Sequence, residues 1–188
     1  PAFGGINLED IAAPRCFKIE EELLNIGIPV MHDAQPGTAI VILAALINAA
    51  KAVNKKIDEL KVVINGAGAA GTAVTKLLLC LGIDKNICTS VKEIVVCDSK
   101  GIIYDGRADL NEFKAQIAKV SNRTGRKGTL KDALAGADVF IGVSAGNLLN
   151  ADDLTRMNKN AIVFAMANPV PEIMPDEAMK VAAVVGTG

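Results

Sequence analysis

The apolar positions change rhythm partway along the chain. From about residue 58 onward, short apolar runs alternate with helical spacing, the order expected of an α/β fold built on a parallel sheet. The strand-like runs are 60–65, 93–97, 138–143, 161–165 and 181–185. Between them the pattern predicts a helix over 69–81, stopped at Gly82, and another over 109–120 with Asp109 as N-cap. A third helix opens at Thr129, with Asp132 completing a capping-box variant. Asn150 caps a helix over 151–157, and 175–180 reads as a helix with proline in its first turn.

The first part of the chain differs. Residues 8–25 are acidic and amphipathic and predict a helix, and 28–32 a short strand before a polar break. Residues 37–54 form a long apolar helix with almost no polar face before Lys51. Such a helix is buried or docked against another body of protein, here a further domain or subunit. The apolar stretch 39–50, at about 12 residues, falls short of the ~18 needed for a membrane span and reads as a buried helix. No basic stretch followed by an apolar region opens the chain, so no signal peptide is visible.

A length of 188 residues fits one domain, or one domain and part of another. At 51% hydrophobic residues the chain can build a core. Its net charge of −1, from 20 basic and 21 acidic residues, argues for neither nucleic acid nor a membrane surface as partner. The one basic cluster, 123–131, is diluted by glycine and threonine and reads as a solvated loop. Cys16, Cys80, Cys88 and Cys97 form no CxxC pair and His32 is the only histidine, which excludes a zinc site. Cys80 and Cys97 lie in apolar contexts and read as small buried hydrophobes, so a reducing cytoplasm is the simplest location.

Gly66-Ala67-Gly68-Ala69-Ala70-Gly71 follows a Val-Val-Ile strand and opens an alanine-rich helix. That is the context a GxGxxG turn needs to bind a dinucleotide. The first glycine allows the tight turn, the second lets a pyrophosphate approach the backbone, and the third lets helix pack on sheet. Ala69 and Ala70 begin the helix, whose unpaired N–H groups favour an anion. The expected fold is therefore a Rossmann-type, doubly wound parallel sheet with helices on both faces.

Asp98 ends the second strand, where a carboxylate can accept hydrogen bonds from ribose hydroxyls. It would repel a 2′-phosphate and so favour NAD over NADP, with Lys100 able to offset this. Asp98-Ser99-Lys100-Gly101 is equally good turn chemistry. Later strands should also end at the cofactor. Val143, Ser144 and Ala145, flanked by glycines, permit close approach to the nicotinamide ribose. Asn168, held by the following Pro169, offers a donor and an acceptor in another such loop, or else shapes that loop.

Taken together, the segments 3–11, 32–39, 66–71 and 167–173, in this order, resemble malic enzymes of the shorter bacterial and archaeal type, over essentially the whole chain. The resemblance implies oxidation of malate with NAD or NADP and decarboxylation to pyruvate, assisted by Mg²⁺ or Mn²⁺. It implies Glu9 and Asp10 as metal ligands, Asp33 as an aid to proton transfer that can also fill in as a metal ligand, Asn168 as a contact to the substrate carboxylate, and a homodimer. Without it, Glu9-Asp10 is an ordinary acidic helix start.

Two departures stand out. Ala34 occupies the place of the family's third metal-binding carboxylate, and alanine cannot coordinate metal. The family's catalytic tyrosine and lysine belong to a region this sequence lacks; the sole tyrosine, Tyr104, sits in a turn. The chain then reads as the cofactor-binding part of a longer enzyme, with 1–36 belonging to the metal-site region and 37–188 forming the NAD(P)-binding domain. A non-catalytic nucleotide-binding module and another Rossmann dehydrogenase, such as an amino-acid or tetrahydrofolate dehydrogenase, are the alternatives. The metal-type carboxylates and the Asn168 loop weigh against the last.

Overall fold

The computed structural model describes residues 2–12, 14–84 and 86–188. The chain begins in a parallel pair of strands, β1 (Ile6–Leu8) and β2 (Val30–His32), joined through helix α1 (Arg15–Leu23). The helix expected over 8–25 is confined to its middle, since Pro14 caps it and residues 6–8 pair with 30–32. A π-helical turn, Asp33–Gly37, contains Pro36, which has no N–H for a regular helical bond. It runs directly into α2 (Thr38–Ala52).

Turn and helix together make the 20-residue run Asp33–Ala52, which by length and composition alone could cross a membrane. This is longer than the 39–50 stretch counted from sequence. One stripe of it packs on the sheet, however. Ala39, Ile42, Leu46, Ala49 and Ala50 are buried in the same cluster as Val62 and Ile64 of the sheet. Ile40 and Val41 face outward, at 57% and 59% exposure, so α2 is buried along one stripe rather than all round.

The main sheet has six strands: β3 (Lys61–Asn65), β4 (Glu93–Asp98), β5 (Gly101–Ile102), β6 (Val139–Gly142), β7 (Ile162–Ala165) and β8 (Val184–Thr187). Their spatial order is β5-β4-β3-β6-β7-β8, parallel throughout except for the antiparallel edge strand β5. The helices are α3 (Ala69–Leu78), α4 (Glu112–Val120), α5 (Leu130–Ala133), α6 (Ala151–Leu154) and α7 (Pro175–Ala178). Alternation along each strand builds two cores. Val62 and Ile64 pack with α2, α3 and α4, while Val63 and Phe140 pack with α5, α6 and α7. Both faces are covered, which is why these strands are apolar at successive positions. The doubly wound sheet with helices on both faces is as expected.

The differences in detail have local causes. β5 is too short to show a period in sequence. α4 starts at Glu112 with Asn111 as N-cap, not at Asp109, because Lys100 and Arg107 hold the Asp109 carboxylate. The last strand begins at Val184, since the amides of Val181 and Ala182 still bond back to Ala178. The capping boxes at Thr129 and Asn150 both close, on Asp132 and Asp153. Cys97 is a buried free thiol, whereas Cys80 is disulfide-bonded to Cys88 and is no apolar filler.

Candidate dinucleotide site

The order of the strands creates the site. β3 runs to the centre of the sheet, the chain winds outward through β4 and β5, then returns to lay β6 on the other side of β3. The connections therefore part at the carboxyl ends of β3 and β6, where Asn65 lies beside Gly142. A crevice at such a switch point is where open α/β sheets bind ligands. Here it is a cavity of about 910 Å³, lined among others by Gly66, Gly68, Asp98, Lys114, Ser144 and Ala145.

The three glycines are required for three different reasons. Gly66 has φ +125°, and a Cβ there would stand 2.7 Å from the Val143 carbonyl oxygen. A Cβ on Gly71 would overlap the Gly66 carbonyl. At Gly68 a Cβ would meet nothing within 4 Å. It would project where the cavity is open, which is the space a pyrophosphate needs. No side chain caps α3, so the N–H groups of its first turn, Ala69 and Ala70 included, are left to an anion.

Asp98 also lines the cavity, but it does not stand alone. Arg107 donates from Nη1 to Oδ1 (3.0 Å) and from Nη2 to Oδ2 (2.5 Å), and Lys114 Nζ donates to Oδ2 (2.6 Å). Burial by itself would raise the carboxyl's pKa; the hydrogen bonds from Arg107 and Lys114 outweigh it and hold the value at about 2. Lys100, expected to temper Asp98 through its charge, does so only by its backbone N–H, while its ammonium pairs with Asp109. Burial, with the Asp98 charge adding to it, pushes the neighbouring Cys97 thiol up to about 12, so it stays protonated.

Across the crevice, Asn65 Nδ2 donates to Ser144 Oγ (2.6 Å), tying β3 to the loop after β6. Val143, Ser144 and Ala145 all line the cavity. Asn168 is exposed in the loop after β7. Between these loops lies Glu172, fully buried, a residue that sequence reasoning did not single out. Its partners are backbone N–H groups, which leave no trace in the sequence.

The carboxylates assigned to a metal lie elsewhere. The β1–β2 register pairs Leu8 with His32, so Glu9 and Asp33 leave the same end of that pair. Glu9, Asp10 and Asp33 are all exposed, with Asp10 at φ +55° and Asp33 opening the π-helical turn. As hard oxygen donors they suit Mg²⁺ or Mn²⁺. Among the described residues no three His, Cys, Asp or Glu side chains gather closely enough to hold an ion by themselves. Behind Asp33, the fully buried His32 bonds through Nδ1 to Glu20 (2.9 Å), and Gln35 bonds to both.

Fold and crevice together define a dinucleotide-binding domain of the Rossmann kind. Residues 35–188 match the model of the malic enzyme NAD-binding domain. The whole chain is 53% identical to a bifunctional malic/malolactic enzyme of Bacillus subtilis, of which it covers 45%, and 50% identical to an NAD-dependent malic enzyme of Geobacillus stearothermophilus, of which it covers 38%. It is 45% identical to an NADP-dependent malic enzyme of Escherichia coli, covering 24% of that protein. The crystal structure of an NAD-dependent malic enzyme from Thermotoga maritima superposes with a TM-score of 0.91 at 48% identity, over all of this chain and 49% of that one. The chain belongs to the malic enzyme family. It spans less than half the length of these relatives.

Proposed function

We propose that the chain is the cofactor-binding part of an enzyme that oxidises malate with NAD or NADP and decarboxylates the product to pyruvate. One observation carries this reading: the Gly66-to-Gly71 turn opens on a crevice that also receives Asp98, Ser144 and Lys114, in a chain of malic enzyme type. The first turn of α3 binds the pyrophosphate. Asp98 accepts from the ribose hydroxyls, and the Val143-Ser144-Ala145 backbone orients the nicotinamide end. Asn168 contacts a substrate carboxylate, and Asp33 assists proton transfer. Glu9, Asp10 and Asp33 are the residues that would hold a divalent cation. When bound, the nicotinamide supplies the hydride acceptor and the cation a Lewis acid for the ketone and enolate oxygens.

The ribose end also bears on cofactor choice. Lys100, Arg107 and Lys114 converge on only two carboxylates, Asp98 and Asp109. The balance is positive, so the charge of Asp98 does not bar a 2′-phosphate, and the site admits NADP as well as NAD. This relaxes the preference for NAD read from Asp98 alone.

The test is malate-dependent formation of NADH or NADPH by the full-length protein with Mn²⁺. Turnover with either nucleotide is expected, and turnover with neither defeats the reading. A non-catalytic module would instead bind nucleotide with an affinity indifferent to Mn²⁺ and malate.

A further inference from the structure

Glu172 is a carboxylate with 0% exposure, and both its oxygens are taken by backbone donors. Oε1 accepts from the Ser144 N–H at 3.0 Å and Oε2 from the Ala167 N–H at 3.1 Å. Ser144 belongs to the loop after β6, and Ala167 immediately precedes Asn168 in the loop after β7. The Glu172 carbonyl accepts in turn from the amides of Leu148 and Leu149 (2.8 and 3.0 Å), and the Pro171 carbonyl from Asn147 (3.0 Å). Gly142 has no room for a side chain because the Glu172 carboxylate fills the place of its Cβ, and a Cβ on Gly146 would stand 2.5 Å from the Val170 carbonyl oxygen.

A buried carboxylate is costly unless it is hydrogen-bonded, and an apolar residue in its place would leave the Ser144 and Ala167 N–H groups unpaired. A carboxylate does offer one acceptor to each loop at once, in charge-assisted bonds stronger than neutral ones. The result is a continuous chain across three strand ends: Asn65 to Ser144, Ser144 to Glu172, Glu172 to Ala167. It runs from the glycine turn on β3 to the base of Asn168.

We infer that Glu172 is a positioning residue that joins the cofactor loop at 143–146 to the loop carrying Asn168, so that nucleotide and hydroxy-acid are bound by one ordered unit. The inference rests on the proposed function for the identity of the hydroxy-acid; the joining of the loops does not depend on it. Ordering one loop by its ligand orders the other, and the two ligands bind with positive, reciprocal coupling.

Glu172→Gln keeps the size but turns an NH₂ group toward one of the two N–H donors, leaving that donor unpaired. In the full-length protein with Mn²⁺, NADH affinity is read by fluorescence with and without L-malate, beside steady-state kinetics and a thermal melt. For Glu172→Gln, any loss of affinity for NADH alone is smaller than the loss of coupling, because the amide oxygen keeps one of the two backbone bonds. The factor by which L-malate tightens NADH, in the range of about 5- to 150-fold for typical coupled sites, collapses toward one. kcat falls about tenfold or more, as misplaced reacting groups require. Retained coupling, or a loss of NADH affinity that merely follows a loss of melting temperature, overturns the inference.

Hydrogen exchange on the unmodified full-length protein decides the matter even if the variant does not fold. NAD alone is expected to slow exchange of the Ser144 and Ala167 amides together. Protection at Gly68 to Gly71 and Ser144 with Ala167 unchanged overturns the inference while leaving the nucleotide site standing. Absence of protection at 66–71 removes both.

Discussion

Arg107 grips Asp98 through two near-parallel hydrogen bonds, at 3.0 and 2.5 Å, with the two side chains only 8% and 6% exposed. Removing one partner of such a pair leaves a buried charge short of its counter-ion, at a cost of about 3–5 kcal/mol. Lys114 remains on the same carboxylate, so Arg107→Ala is expected to cost nearer the lower figure. Arg107→Lys should recover little, since an ammonium cannot reproduce the planar fork. Urea unfolding measures both, and a loss below about 1 kcal/mol for Arg107→Ala would show that the pair is not what holds this corner together.

The same pair makes stability depend on acid. Burial raises the Asp98 carboxyl, but the bonds from Arg107 and Lys114 prevail and lower it from 3.8 to about 2. The folded protein thus binds this proton less readily than the unfolded chain. Its contribution, about 2 kcal/mol, is complete above pH ~4 and is lost as the pH falls from there toward 2. Unfolding free energies for the native protein and Asp98→Asn at pH 6, 4 and 2.5 should converge on acidification. Parallel profiles would contradict this origin.

The glycine turn predicts two distinct kinds of failure. Gly66→Ala meets both a positive φ and the Val143 carbonyl, and should cost about 1–3 kcal/mol as well as NAD binding. Gly68→Ala has an ordinary φ of −89° and open space around its Cβ, and should fold normally. It should nonetheless lose NAD affinity, because its methyl occupies the pyrophosphate's approach. Melting curves and NAD titrations on both variants separate the effects; undiminished NAD affinity in Gly68→Ala would remove the pyrophosphate from this turn.

Cys80 and Cys88, separated by 8 residues, are joined by a disulfide that closes the loop after α3. Chain entropy gives a loop of this size about 2–3 kcal/mol. Dithiothreitol and Cys88→Ser should therefore lower stability by similar amounts and not additively. If the reductant leaves the melting temperature unchanged while thiol titration shows that the bond has opened, the loop is held by its packing instead.

Ala34 lies next to Asp33 in the π-helical turn and offers no oxygen. Ala34→Asp adds a hard donor beside the proposed metal ligands and should tighten Mn²⁺ in the full-length protein by about tenfold or more, as added ligand charge does. Electron paramagnetic resonance of free Mn²⁺ reads this directly. Unaltered affinity would place the ion away from this turn.

The parts of the site that could be read from sequence are those whose chemistry sits in consecutive residues. Gly66, Gly68 and Gly71 declare themselves because strand, turn and helix follow one another without a break. Asp98 was visible as an acidic strand end, but its partners Arg107 and Lys114 arrive from a turn and a later helix, and no spacing rule links the three. Glu172 was harder still, because it binds amides rather than side chains. Cys80, which bonds to Cys88, stands at φ +55° past the end of α3, a backbone conformation that the residue type does not announce. Asp109 misled as an N-cap because a nearby guanidinium competes for its carboxylate more strongly than a helix amide does.

The edge of the sheet beside Asp98 carries one more consequence. β5 is only two residues long, and its polar groups are already engaged: the Ile102 N–H donates to the Gly128 carbonyl at 2.9 Å, and Arg107 Nη1 reaches the carbonyls of Gly101 and Ile102 at 3.4 and 3.2 Å. An open strand edge is a template on which another chain can add itself, and proteins guard such edges with brevity and charge. Arg107 supplies that guard here. Replacing this arginine, even to alter the Asp98 corner alone, would therefore also strip the Gly101 and Ile102 carbonyls of their side-chain donor at the sheet edge.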